Sequence, residues 1–354
     1  MHFLRPLVIA GLSILLAGCN GVGYYWQSMN GQLAMWSLER PVAEVVKDPA
    51  TDEKLRRKLI RVRKIRDFAS RDLKLPDNAS YRSYADLGRP FAVWNVFAAP
   101  EFSVSPMQWC FPVAGCVAYR GYFERAAAER FSAGLAAEGN DVYVGGVPAY
   151  STLGYFADPL LNTFIYFPDV EIARLLFHEL AHQVAYAPGD TVFNESFAVA
   201  VATEGVKRWV AYTGDQAALA EFERRQRARE AFQQIVARCR QRLAALYRSG
   251  LPSDTMRARK AAILEDMVEE YRASRERIGL AGYDQWFARG PNNAQVASVA
   301  IYTQLVPEFQ ALLNRESGNL ERFYAKVKSL ASLPKNERAD ALRKAMVQGQ
   351  RASR

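Results

Sequence analysis

Residues 174–186, which read RLLFHELAHQVAY, constrain the fold of this 354-residue chain more than any other segment. Apolar residues surround two histidines, His178 and His182, that lie four positions apart. This spacing places both imidazoles on one face of a helix, one turn apart. Asp169 can cap such a helix, and Pro188 with the glycine after it ends the pattern. The sequence therefore predicts a buried helix that presents two histidines to one site.

Glu179 directly follows the first of these histidines and completes the H-E-x-x-H arrangement of zinc hydrolases. In this arrangement two neutral imidazoles bind the metal, and the glutamate beside them reaches the metal-bound water. The alternative is two core histidines with a capping or ion-paired glutamate. Because the motif uses two of the three histidines in the chain, we predict one Zn²⁺ per chain, with His178 and His182 as ligands and Glu179 as general base.

A catalytic zinc ion needs a third protein ligand and an open fourth position. The remaining histidine, His2, lies in a segment that we expect to be removed, which excludes a three-histidine site. Residues 194–198, NESFA, resemble the N-E-x-x-A segment of glutamate-type zincins. This resemblance implies that Glu195 is the third ligand, although the linker before it is shorter than in thermolysin-like enzymes. Asp190 and Glu204 are the competing candidates.

A second donor should stabilise the oxyanion of a peptidase reaction, and a tyrosine is the natural choice in a chain without a spare histidine. Tyr302, in the segment NNAQVASVAIY, is our first candidate, with ordinary packing as the alternative. Asn292 and Asn293 begin the same segment. They either bind the substrate backbone, or Asn292 only caps a helix.

Residues 149–156, AYSTLGYF, are predicted to form a strand before the helix that carries His178 and His182, here called the metal helix. Substrates of zincins usually add to an edge strand beside that helix by backbone pairing. We therefore expect Tyr150, Ser151 and Thr152 to line the cleft. The alternative is an ordinary internal strand.

The first 18 residues predict export from the cytoplasm. Their apolar run from Leu7 to Ala17 is too short to span a membrane and suits a signal peptide. The run ends in LAGC, which resembles a bacterial lipobox. This resemblance implies that Cys19 becomes the lipidated first residue, which anchors the protein to the periplasmic face of the envelope. Asn20 favours the outer over the inner membrane, and a plain signal peptide or short anchor is the alternative.

Cys110 and Cys116 lie close together, with Pro112 and Gly115 able to turn the chain between them. In an oxidising periplasm this spacing predicts a small disulfide loop. Cys239 lies in a helical apolar pattern, which favours a buried free thiol.

The composition, 50% hydrophobic and 23% charged, excludes a disordered or fibrous protein. The formal charge of +9 is spread over helical segments instead of forming a basic tail, so we expect no nucleic-acid partner. Strand and helix patterns alternate before about residue 192, and helical patterns dominate after it. We predict an α+β fold with a zincin-like metallopeptidase core, a small sheet and a large, mainly helical C-terminal part.

Four regions follow from these patterns. They are a signal peptide (1–18), an entry segment (19–47), an α+β catalytic core (48–212) and a helical domain packing on the active site (213–354). The predicted strands are 91–99, 117–123, 141–144, 149–156 and 163–167. The predicted helices include one that starts at Asp48–Pro49 and those at 124–138, 215–248, 254–278, 292–314 and 318–332.

Several segments together resemble the zinc aminopeptidase family of Gram-negative bacterial lipoproteins. They are LAGC, GRPFAVWNVFAAPEFS, QWCFPVAGCVAYRGYF, AYSTLGYFADPLL, FHELAHQ, GDTVFNESFA and NNAQVASVAIY, within residues 16–310. The resemblance implies a peptide substrate and an acid that holds its α-ammonium group, for which Glu101, Asp158 and Asp190 are candidates. A zinc endopeptidase of envelope proteins and a non-catalytic lipoprotein scaffold are the alternatives, although a purely structural zinc site needs no base such as Glu179.

Overall fold

The computed structural model describes residues 23–112, 114–288 and 290–352. The predicted signal peptide and Cys19 lie outside the described residues. The described chain is α+β and mostly helical with small sheets, which confirms the predicted class.

Short strands occupy the first half of the chain, and long helices follow. The helices are α1 (residues 23–37), α2 (Val42–Lys47), α3 (Glu53–Arg71), α4 (Arg125–Ala137), α5 (Asp169–Val184), α6 (Thr191–Thr213), α7 (Gln216–Tyr247), α8 (Ser253–Ile278), α9 (Asp284–Phe287), α10 (Asn293–Thr303), α11 (Val306–Arg315), α12 (Leu320–Ala331) and α13 (Lys335–Ala352). The strands are β1 (Arg40–Pro41), β2 (Ser83–Ala85), β3 (Val93–Pro100), β4 (Trp109–Phe111), β5 (Gly115–Val117), β6 (Arg120–Tyr122), β7 (Asn140–Val147) and β8 (Leu160–Leu161).

One three-stranded sheet is antiparallel, with the order β6–β3–β7. Its central strand β3 confirms the strand predicted at 91–99. Helix α4 covers one face, where Trp94, Val96 and Ala98 pack against Ala128 and Leu135. Strand β7 forms one edge, and the face opposite α4 is left for other elements.

Two predicted strands are wrong. Residues 149–156 form an irregular loop, and residues 163–167 form a turn. Leu153 and Gly154 have positive φ angles of 58° and 82°, which interrupt the extended path. Phe164 and Ile165 are apolar because they fill the core from a turn, not because they belong to a sheet.

Helix boundaries differ from prediction where a different residue provides the cap. Asp52, not Asp48, caps α3, because its carboxylate accepts hydrogen bonds from the backbone N–H groups of the next turn. Asp169 is the first residue of α5 instead of its cap, and its carboxylate pairs with Lys58. The helix predicted at 292–314 is two helices, with a proline in the first turn of the second.

The largest hydrophobic cluster joins the metal helix to the C-terminal helices. Phe177 of α5, Phe193 and Phe197 of α6, Phe309 of α11 and Phe323 of α12 are all buried in it. A second cluster lies between α7, α8 and α10. The predicted boundary at 212 stays a prediction, and residues on both sides of it share the first cluster.

The stretch Asn293–Arg315 has the length and mean hydropathy of a membrane-spanning helix, a property that core helices share. In this structure it consists of α10 and α11, which contribute residues to the hydrophobic clusters.

The predicted disulfide between Cys110 and Cys116 is present and joins β4 to β5. The carbonyl oxygen of Ala114, inside this loop, accepts hydrogen bonds from Gly189 N (3.3 Å) and the Tyr186 hydroxyl (3.1 Å). The loop is thereby attached to the connection between α5 and α6. Cys239 is a buried free thiol, as predicted.

Gly115 tests the importance of this attachment. Its φ is +71°, and a Cβ there would lie 2.4 Å from the backbone nitrogen of Gly189. We expect Gly115→Ala to lower the free energy of unfolding by about 2–4 kcal/mol, because backbone must move. The control Gly214→Ala, at φ +65° with no atom within 4 Å, should cost about 1 kcal/mol. Denaturant unfolding measures both, and equal losses would show that the contact with Gly189 is unimportant.

Candidate metal centre

Helix α5 brings the two motif histidines to one face, as their spacing predicts. The Nε2 atoms of His178 and His182 lie 3.3 Å apart. Their side chains are only 12% and 8% exposed. The helix buries Phe177, Leu180 and Ala181 on its other faces, so packing fixes the direction in which the histidines project.

Helix α6 supplies the third donor. The Oε2 atom of Glu195 lies 3.2 Å from His178 Nε2 and 3.6 Å from His182 Nε2. The two competing carboxylates are used elsewhere. Asp190 accepts a hydrogen bond from Phe193 N as the cap of α6 and pairs with Arg338, whereas Glu204 pairs with Arg208.

The three donor atoms are spaced as a tetrahedral zinc site requires. Nitrogen and oxygen atoms about 2.0–2.1 Å from a zinc ion, at tetrahedral angles, lie about 3.3–3.4 Å from one another. The separations here are 3.2, 3.3 and 3.6 Å. Two imidazoles and one carboxylate also form a ligand set of catalytic zinc sites, which keep one position for water. The donor set of His178, His182 and Glu195 therefore fits a divalent ion such as zinc.

Burial and neighbouring charges give the two site glutamates opposite properties. Burial raises the pKa of Glu195, but the charge of His182 and hydrogen bonds from both histidines outweigh it and lower that pKa to about 2. Burial raises the pKa of Glu179 to about 7, although His182 opposes the rise. Glu195 therefore stays an anionic ligand, whereas Glu179 can gain and lose a proton near neutral pH.

Asn194 holds the connection that places Glu195. Its Oδ1 accepts a hydrogen bond from Ala187 N at 2.7 Å, and its Nδ2 donates to Ala187 O at 2.9 Å. The residue is 2% exposed. Because this two-point contact closes the α5–α6 turn, it fixes the start of α6 and the position of the next side chain. The sequence identifies the NESFA segment but gives Asn194 no separate role.

His178, His182 and Glu195, here called the metal group, lie on the wall of a cavity of about 1110 Å³. The cavity lies between α5, α6, α7, α10 and the open face of the β3–β7 sheet. His178, His182, Glu179 and Glu195 all line it. This volume slightly exceeds the range of about 300–1,000 Å³ that is typical of small-molecule sites. A peptide segment therefore fits within reach of the metal group.

Two tyrosines of the cavity wall present hydroxyl donors. The Tyr302 ring lies 6.4 Å from the His178 ring, and Tyr119 lines the same space. Burial raises the pKa of both hydroxyls far above the ordinary value. Both stay protonated, and neither has a hydrogen-bond partner within the described ranges. Sequence reasoning missed Tyr119, because no local pattern distinguishes it among 17 tyrosines.

The predicted substrate residues before the metal helix are divided by the structure. Tyr150 and Ser151 line the cavity, and the Tyr150 hydroxyl donates a hydrogen bond to Gln32 of α1. Thr152 lies outside the lining, and its hydroxyl donates to the carbonyl oxygen of Phe156 within the same loop.

Asn292 and Asn293 serve the fold. Asn292 caps α10 by accepting a hydrogen bond from Gln295 N, and its Nδ2 donates to Val142 O on the edge strand. Asn293 is fully buried and donates to the carbonyl oxygen of Glu101. Neither side chain lines the cavity, so the structure favours the capping interpretation for Asn292.

The three carboxylates suggested for the substrate ammonium group also lie outside the cavity lining. Glu101 pairs with Arg257 on α8. Asp158 accepts hydrogen bonds from Thr152 N, and Asp190 is the cap of α6. Apart from Glu179 and Glu195, the carboxylate of the described lining is Glu230, which accepts a hydrogen bond from Gln226.

Replacement of Asn194 tests its role in metal binding. Asn194→Ala leaves the two buried polar groups of Ala187 without partners, so we expect unfolding free energy to fall by about 2–4 kcal/mol. Zinc affinity should fall about 10- to 100-fold, as for groups that orient metal ligands. The control Asn319→Ala removes an exposed cap of α12 and should leave zinc affinity unchanged. Chelator competition measures the affinity, and an unchanged value in Asn194→Ala would refute the role.

Asp158 makes a pH-dependent contribution to stability. It is 4% exposed, and burial raises its pKa to about 6, against about 3.9 in the unfolded chain. Its stabilising contribution is therefore complete below about pH 4 and is lost as the pH rises through 6. We expect Asp158→Asn to gain about 3 kcal/mol of unfolding free energy relative to wild type between pH 4 and pH 8.

Urea unfolding at several pH values measures this difference. The exposed Asp77, whose pKa the hydrogen bond from Arg82 lowers, supplies the control. Asp77→Asn should show the opposite trend, because a lowered pKa stabilises the fold at high pH. Parallel pH profiles for Asp158→Asn and wild type would contradict the assignment.

Comparison with known proteins places the chain in one family. No curated protein and no solved structure matches it. Residues 23–342 match the family described as "Putative aminopeptidase". The match includes the metal helix, the α5–α6 connection and the helices that surround the cavity. The chain therefore belongs to this aminopeptidase family.

Proposed function

We propose that the protein is a zinc metallopeptidase that removes N-terminal residues from peptides. The observation that carries the proposal is the convergence of His178, His182 and Glu195 beside Glu179 on the wall of a peptide-sized cavity. The family description supports aminopeptidase action. The two imidazole donors support zinc over ions that prefer oxygen ligands.

Each site residue has a chemical task in this proposal. When bound, zinc polarises the substrate carbonyl and lowers the pKa of a bound water molecule towards neutrality. Glu179 accepts the proton of that water molecule and delivers it to the leaving amine. Its raised pKa suits both transfers. The hydroxyls of Tyr302 and Tyr119 donate hydrogen bonds to the carbonyl oxygen as negative charge develops.

The free edge of β7 is the proposed binding site for the substrate backbone. Val147 O accepts from Ala92 N, so alternation along the strand directs the backbone groups of Val144 and Gly146 away from β3. Asn292 covers the edge at Val142. The backbone of Val144 and Gly146 thus remains for pairing with an extended peptide, where residues 149–156 were expected to act.

The proposal includes anchoring through a lipid on Cys19 at the periplasmic face of the outer membrane. The lipobox resemblance and the disulfide favour an exported protein. Helix α1 begins at residue 23 and exposes Trp26, Met29 and Leu33 at helical spacing. An apolar stripe of this kind suits contact with a membrane surface.

Mass spectrometry of a mixed peptide pool, half of it N-terminally acetylated, tests the function with zinc-loaded full-length protein. We expect loss of single N-terminal residues from the unblocked half. Glu179→Gln should retain zinc and lose at least about 10²–10⁴-fold in rate, because the proton acceptor is gone. Glu204→Gln, outside the metal group, serves as the matched control and should keep full activity.

The other outcomes are equally informative. Internal cleavage of both halves of the pool would indicate an endopeptidase. Absence of any Glu179-dependent cleavage by the zinc-bound protein would contradict the enzymatic proposal and favour a lipoprotein scaffold.

A further inference from the structure

A cationic group lies on the cavity wall one helical turn before the first metal ligand. Arg174 precedes His178 by four residues on α5, and both line the cavity. Arg229 of α7 lines the same cavity. Glu171 connects the two arginines, since it accepts hydrogen bonds from Arg174 Nε at 2.9 Å and from Arg229 Nη2 at 3.2 Å.

The group presents positive charge to the cavity. Two guanidinium groups against one carboxylate leave a net charge of +1. The Glu171 side chain is 12% exposed, against 31% for Arg174 and 21% for Arg229. Among the described residues, Arg174 donates a hydrogen bond to Glu171 alone. Its terminal nitrogens are therefore available to a ligand.

Lys207 adds a further positive charge to the described lining, and Glu230 is the acid on the α7 side. Glu230 is exposed and already accepts a hydrogen bond from Gln226. With Lys207 and Glu230 counted, three cations and two carboxylates still leave a net charge of +1 around Arg174 and Arg229.

Arg229 Nη1 also donates a hydrogen bond to Gln226 Oε1 at 3.0 Å, and its Nη2 donates to Glu171. Arg229 therefore mainly adds charge, whereas Arg174 offers its terminal nitrogens. A guanidinium group with free N–H donors matches the geometry of a carboxylate.

We propose that Arg174 and Arg229 bind a carboxylate of the substrate and thereby determine its specificity. This inference rests on the proposed peptidase function and names the substrate class of the same cavity. Four helical residues correspond to about 6 Å along the axis, and an extended peptide advances about 3.3–3.6 Å per residue. The carboxylate therefore lies about two residues beyond the scissile bond.

Two sources can supply this carboxylate. One is the C-terminal α-carboxylate of a tripeptide, and the other is an Asp or Glu side chain in a longer peptide. The carboxylates suggested for holding a substrate ammonium group lie outside the cavity lining. The cavity lining therefore contains two arginines that can hold a carboxylate on the C-terminal side of the substrate. It contains none of the three acids that were predicted to hold the ammonium group at the N-terminal end.

Paired substrates test the proposal with zinc-loaded full-length protein. The set comprises a tripeptide acid, its C-terminal amide and an amide with aspartate as third residue. We expect the acid to have a KM about 10- to 100-fold lower than the plain amide. Arg174→Gln and Arg229→Gln should remove that difference without changing zinc content. Arg238→Gln on α7, which removes an exposed ion pair with Glu270 of α8, should preserve the difference.

Glu171→Gln provides a variant with the opposite expected effect. It raises the net charge of the group from +1 to +2, so the preference for the acid should increase and become more sensitive to salt. Restoration of the preference by the aspartate-containing amide would identify side-chain carboxylates as substrates. Preference for the free acid alone would identify the C-terminal carboxylate. Equal KM values for all three peptides would overturn the proposal.

Calorimetric binding to zinc-loaded Glu179→Gln separates this inference from the proposed function, because it needs no turnover. Tighter binding of the acid than of the amide, lost in the Arg174→Gln double variant, would support the carboxylate site even if wild type cleaved no peptide. Equal binding, or binding of neither peptide, would overturn it even if wild type proved to be an active peptidase.

Discussion

Glu195 is a carboxylate buried between two imidazoles, and transfer of such a charge from water costs several kcal/mol unless an opposite charge lies within reach. Glu179 adds a second, half-buried carboxyl group to the same region. A divalent cation on His178, His182 and Glu195 would compensate the Glu195 charge more fully than the two histidines do alone. The central helices therefore have to be rigid enough to hold these groups in register for a metal.

That rigidity comes from contacts on both sides of the α5–α6 connection. Asn194 closes the turn from within, and the disulfide-bonded β4–β5 loop contacts it through Ala114. On the other side, Phe309 packs against Phe193 and Phe197. Residues more than 100 positions apart in sequence thus fix the distance between Glu195 and the two histidines.

How well the sequence predicts this site depends on how far apart in sequence the interacting residues lie. The histidine spacing, the short disulfide loop and the apolar run of β3 are local features, and the structure confirms them. Residues 149–156 have strand-like composition but serve as a loop, because positive φ angles break their path. The ion pair between Glu101 and Arg257 joins residues 156 positions apart. A single sequence does not reveal such a pair, so it leaves Glu101 as a candidate acid for holding the substrate. Tyr119, Arg174 and Arg229 were missed for the same reason.

The charge distribution in the cavity bears on how an aminopeptidase can select the first peptide bond. Holding the substrate ammonium group requires an acid, and the candidate acids are engaged elsewhere in the fold. In our proposal, Arg174 and Arg229 instead position the substrate peptide by binding a carboxylate on its C-terminal side. In a tripeptide, a carboxylate two residues beyond the metal places the bond after the first residue at Glu179. Release of a single N-terminal residue then follows from peptide length, and longer chains require an acidic side chain at the same distance.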